Sequence, residues 1–215
     1  MSVARTAVAK TTSQIRRHYF ESSGAAWARL VSDLLSPPVI WGVLAFPVAF
    51  SQAPSAGHAI TWALVYITLI CILPVIYIAL MVKRGKITDI HMQVRQQRIR
   101  PFVVSLICTT IAWWTLRFMG APSVLPMFAL FSLIQMGIMA VITLVWQISL
   151  HAMSVTGAVV ALGFLFGGAA ALITAPFIIL VGAARLNLKR HTLAQVLAGA
   201  ALGAIIPLMM LSNVM

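Results

Sequence analysis

Acidic side chains are nearly missing from this sequence. Of 215 residues only three are Asp or Glu: Glu21, Asp33 and Asp89. A metal site built from several carboxylates, the usual cage for Mg²⁺ or Ca²⁺, is therefore hard to assemble, and no cofactor is expected. Charge of either sign is scarce, at 8% of residues, where soluble domains carry about 25%. That excludes an ordinary soluble globular chain. The two cysteines, Cys71 and Cys108, both lie in apolar runs, so a disulfide framework is not expected. Alternation of apolar and polar residues is also missing, which excludes a transmembrane barrel. No basic segment leads directly into an apolar core and a small-residue cleavage site. Residues 1–33 are thus expected to be a polar leader with an interfacial helix in SSGAAWARLVSDLL, not a cleavable signal.

Long uncharged runs are what the sequence has instead: Leu34 to Val82, Pro101 to Leu116, Phe118 to Ala184 and Thr192 to Met215. Runs beyond about 18 residues mark membrane spans. The expectation is an all-α, polytopic transmembrane bundle of about six to seven spans occupying residues 34–215. SPP at Ser36–Pro38 marks a helix start, giving spans over 36–51, 59–82, 101–118, 124–146 and 192–212. The run Ala152–Ala184 is too long for one crossing of about 20 residues, and the sequence hinges it near Gly167–Gly168. In the polar stretch KRGKITDIHMQVRQQRIRP, Thr88 and Asp89 read as a helix cap, and the helix is expected to stop near Arg100 before Pro101.

The parity of these crossings organises the charge. With the N-terminus on one side, the 83–100 stretch, the 147–151 break and the 185–191 stretch all return to it. Every Lys and Arg except Arg117 then shares that side, which the positive-inside rule makes the cytoplasm. A net charge of +12 thus reads as orientation in a cell membrane, expected to be the bacterial inner one. No motif for reading nucleic acid is present. Membrane lipids are the expected surroundings, and assembly with further copies or other membrane proteins is compatible with the chain.

Three separated polar segments therefore meet at one membrane surface: Arg95, Arg98 and Arg100; Ser149 and His151; Arg185, Lys189, Arg190 and His191. Guanidiniums fork onto phosphate oxygens. One neutral imidazole can attack phosphorus while another protonates the leaving oxygen. With so few carboxylates, metal-free phosphoryl transfer through a phosphohistidine fits the residues present. Gln195 lies one helical turn beyond His191, where its carbonyl can accept the Nδ1–H and fix the tautomer.

These segments resemble the type-2 phosphatidic acid phosphatase superfamily, in order, from about Lys83 to Gly199. QVRQQRIRP looks like the Lys-x6-Arg-Pro signature, with Arg100 before Pro101, and with Gln93 where Lys is usual, so that Arg95 or Arg98 supplies the charge. ISLH resembles Pro-Ser-Gly-His, keeping Ser149 and His151. ARLNLKRHTLAQ resembles Ser-Arg-x5-His-x3-Asp, keeping Arg185 and His191 but with Ala184 for Ser and Gln195 for Asp. The resemblance implies a phosphatase-like core with His191 as nucleophile and His151 as acid. Arg100, Arg185 and Ser149 would hold the phosphate of a lipid phosphate or prenyl diphosphate. Loss of the Asp, the Lys and the Pro and Gly around Ser149 motivates the alternative, a catalytically inactive member serving as a structural subunit.

Other residues have blander readings. Lys189 and Arg190 suit headgroup anchoring; Asp89 reads as a cap, with inward folding as its alternative. His18, His58 and His91 read as surface residues. The Trp and Met residues suit packing and the lipid interface, and GAVVALGFLFGGAAA and AGAALGA suit close helix contact.

Overall fold

The computed structural model describes residues 25–90, 92 and 94–212. The leader up to residue 24, with His18 and Glu21, and the positions His91 and Gln93, lie outside the described residues. Among the described residues there are ten α-helices: α1 Ala26–Leu34, α2 Pro37–Gln52, α3 Ala56–Tyr66, α4 Leu73–Lys83, α5 Ile99–Phe118, α6 Val124–Val145, α7 Leu150–Phe166, α8 Gly168–Thr174, α9 Pro176–Asn187 and α10 Leu193–Leu211. There is no strand among the described residues.

Proline punctuates this chain in physically legible ways. Ser36, extended before Pro37, separates α1 from α2, and the two helices meet at a bend of 43°. A π turn over Ile67–Ile72 joins α3 to α4 just ahead of Pro74, whose missing N–H cannot continue the ladder. The 84–94 stretch corrects the sequence expectation. Thr88 and Asp89 start no helix; residues 84–90 lie in turns and bends, and a 3₁₀ turn at Arg95–Arg98 leads into α5. Nor does Pro101 end a helix: it sits in the first turn of α5, where its lack of an N–H costs nothing.

Among the described residues five helical stretches are long and apolar enough to cross a membrane: Ala56–Lys83, Arg95–Phe118, Val124–Val145, Gly168–Asn187 and Leu193–Met210, with the bent α1–α2 pair as a sixth. α7 is apolar but only 17 residues long. It is also the most enclosed helix, buried almost continuously from His151 to Val159, as expected of a helix apolar all round. Gly167, with φ of 90°, ends α7 and starts α8, a conformation open to glycine at little cost. A Cβ on Gly163 would lie 3.0 Å from that of Ala171, so α8 folds straight back along α7. α10 crosses α7 still more closely. A Cβ on Gly199 would meet the Ser149 carbonyl oxygen, and one on Gly203 that of Met153. The small-xxx-small spacing allows this backbone contact. Elsewhere Trp41 packs edge-on against Phe128 and Phe131 at 6.0 and 5.4 Å between ring centroids, tying α2 to α6.

Candidate functional site

The hairpin of α7 with α8–α9 brings the start of α7 and the end of α9 to one end of the bundle, and α1 closes over both. His151, in the first turn of α7, has Nε2 3.1 Å from the Ser32 carbonyl oxygen. A carbonyl only accepts, so Nε2 carries the proton. Arg185, in the last turn of α9, donates from Nη1 to the Ser32 hydroxyl at 3.4 Å. Ser32 is 1% exposed and Arg185 2%. Ser149 caps α7: its hydroxyl oxygen accepts the Ala152 N–H at 3.3 Å, and its own N–H donates to the Gln195 carbonyl at 3.0 Å.

The turn after α9 returns the chain through Lys189, in the left-handed region at φ of 50°, while the Arg190 N–H donates to the Arg185 carbonyl at 3.1 Å. Thr192 then caps α10 in a reciprocal capping box with Gln195. This box also fixes the chemistry of His191. Gln195 Oε1 accepts the Thr192 N–H at 3.1 Å, which identifies it as oxygen and not nitrogen. The same atom is 3.2 Å from His191 Nδ1, so Nδ1 carries hydrogen and Nε2 keeps its lone pair. The imidazole is buried. Burial first, then the charges of Arg185 and Arg98, push it down to about 3 against a partial lift from Gln195, and Arg190 adds to the fall. His191 is therefore a neutral base with a defined tautomer at physiological pH.

Arg98 is the buried guanidinium of the 3₁₀ turn, 6% exposed, and its Nε donates to the Met92 carbonyl at 2.8 Å. The Arg-Pro likeness points to Arg100, but Arg100 is exposed and Arg95 half-buried. Two positions apart on a helix, Arg98 and Arg100 leave on nearly opposite faces. Asp89 lies at this end too, 3.8 Å from Arg190, and Thr88 donates from N–H and hydroxyl to Gln97 Oε1 at 2.9 and 3.0 Å. Lys189 is exposed. His58 instead closes the cap of α3, its Nδ1 2.8 Å from the Ser55 hydroxyl.

Six of the residues singled out from sequence thus share one end of the bundle: Arg98, Ser149, His151, Arg185, His191 and Gln195. Ser32 was not among them. Its only sequence signal is its place in the polar–apolar pattern of α1, which reveals a buried face but not what that face meets. Among the described residues no group of three His, Cys, Asp or Glu side chains could hold a metal ion. The N-termini of α7 and α10 both lie at this end, adding positive potential to that of the arginines. Cationic side chains and two ring nitrogens of opposite hydrogen-bonding character thus gather at this end, His151 linked to Arg185 through Ser32 and His191 under the charges of Arg185 and Arg98. Neither a family model, nor a curated protein, nor a solved structure matches the chain.

Proposed function

We propose that this chain is a membrane-embedded phosphohydrolase acting on a lipid phosphate or prenyl diphosphate without a metal. The single observation that carries this reading is the state of the two histidines. His191, close to the charges of buried Arg98 and Arg185, is neutral with no hydrogen on Nε2, and His151 bears a hydrogen on Nε2 and shares Ser32 with Arg185.

In the first step the lone pair of His191 Nε2 forms a bond to phosphorus. The phosphorus–oxygen bond to the leaving group breaks, and the departing oxygen takes the Nε2 proton of His151 in its imidazolium form, leaving that ring neutral with hydrogen on Nδ1. In the second, His151 accepts a proton from water as the water oxygen attacks phosphorus and the nitrogen–phosphorus bond breaks, restoring both rings. Arg98 and Arg185 balance the charge on the phosphoryl oxygens, and Gln195 holds the His191 ring. With all seven apolar segments crossing, the basic end faces the cytoplasm of a bacterial inner membrane by the positive-inside rule.

The test is phosphate release from phosphatidate, phosphatidylglycerophosphate and prenyl diphosphates by purified wild type and His191→Ala. Release by wild type alone is expected; equal release by both removes the assignment. Gln195, neutral where the resembled family has a carboxylate, favours a second reading as an inactive structural subunit. Phosphate binding without turnover across the panel would select it.

A further inference from the structure

One residue of α1 holds the two donors that a substrate would need. The Ser32 carbonyl oxygen accepts a hydrogen bond from His151 Nε2–H, and its hydroxyl oxygen accepts one from Arg185 Nη1–H. These partners stand on opposite arms of the α7–α9 hairpin, so their joint engagement by one residue defines a single small place between them. Ser32 meets the imidazole N–H and the guanidinium with two oxygens borne on different carbons, its carbonyl and its hydroxyl; a phosphoryl group can offer the same two donors two oxygens of its own.

We propose that Ser32 occupies the anion position in this state, and that α1 is a displaceable cover which a phosphate monoester moves aside. This rests on the phosphohydrolase reading and deepens it. The Nε2–H of His151 cannot serve a leaving oxygen while it is committed to the Ser32 carbonyl, so turnover requires α1 to shift. The fold provides for that movement. α1 joins α2 through the non-helical break at Leu35–Ser36 ahead of Pro37, with a bend of 43°. Its face toward the bundle is made of small residues where it meets the site, with Ala28 and Ser32 buried, and Val31 packs partly buried against the core. Trp27, Leu30 and Leu34 on its outer face are exposed at i, i+3 and i+7 spacing, the stripe of a helix seated in the headgroup region. A cover floating in that region slides without exposing new apolar surface to water.

The experiment uses the full chain in nanodiscs with two probes, inorganic phosphate and dioctanoyl phosphatidate. Amide hydrogen exchange over residues 26–34 of the unmutated protein is expected to accelerate about tenfold or more at saturation, with α10 unchanged. Ser32→Ala is expected to bind either probe about two- to tenfold tighter, because one competing hydrogen bond is gone, and Arg185→Ala is expected to bind neither. Opening by both probes supports the displacement, and so does opening by phosphatidate alone, which adds a need for acyl chains. Binding with slowed or unchanged exchange in α1 overturns it while leaving the phosphohydrolase reading standing. So does weaker binding by Ser32→Ala that Ser32→Thr restores, since Ser32 would then be a ligand. If neither probe binds wild type or Ser32→Ala, and no substrate is hydrolysed, the phosphohydrolase reading falls and the displacement with it.

Discussion

At the scale of single residues, His191 carries the sharpest expectations. Its pKa lies at about 3 against an ordinary 6.5, so the unfolded chain takes up a proton that the fold refuses. The sign follows: stability from this group is complete above about pH 6.5 and drains away as pH falls toward about 3. A ¹⁵N NMR titration of the ring should show it neutral, with hydrogen on Nδ1, at pH 5; a midpoint near 6.5 would contradict the buried, arginine-flanked environment. Gln195→Glu puts a carboxylate beside Nδ1 and should raise that midpoint. His151→Gln should lower turnover of an alkyl phosphate about a hundredfold or more. An activated p-nitrophenyl ester should lose far less, since its leaving group needs no proton. Because His151 also serves the water step, the comparison is read in single-turnover formation of the phosphohistidine, where equal losses on both substrates would show that His151 does not act as the acid. Which arginine joins these histidines was not legible in the chain. Arg98 and Arg100 both precede Pro101, and only the 3₁₀ turn settles the phase that buries one and exposes the other.

At the scale of elements, the contact of α7 with α10 depends on two missing side chains. Gly199→Ala drives a methyl into the Ser149 carbonyl, and should cost about 1–3 kcal/mol of stability. Gly137→Ala, in α6 with nothing within 4 Å of the added Cβ, should be tolerated. Thermal unfolding in detergent compares the two, and similar losses would mean that the helices do not meet at these glycines. Much of this level could be read from sequence, because membrane helices announce themselves as uncharged runs and the hinge as paired glycines. The 84–94 stretch could not. Its cap-like Thr88–Asp89 pair has the chemistry of a helix start, but Thr88 bonds Gln97 and Asp89 pairs with Arg190, tertiary partners that no local pattern names.

For the whole molecule, charge asymmetry makes a topological prediction. In a chain whose two cysteines are replaced by alanine, Lys86→Cys should react with an impermeant maleimide in inside-out vesicles and not in intact cells. The reverse pattern would invert the proposed orientation. Arg117, alone at the other end of α5, has its guanidinium 5.4 Å from the centroid of Trp113, an attraction of about 0.5–1 kcal/mol at exposed sites. The apolar spans were legible because lipid imposes them on composition. The closing of the site was not, since it depends on how α1 docks. One earlier detail bears on how such a protein fails with heat. The oxygen that steers the His191 ring is the same one that ties down the first turn of α10, and end turns are the first part of a helix to fray. Warming should therefore silence the chemistry several degrees before the bundle comes apart.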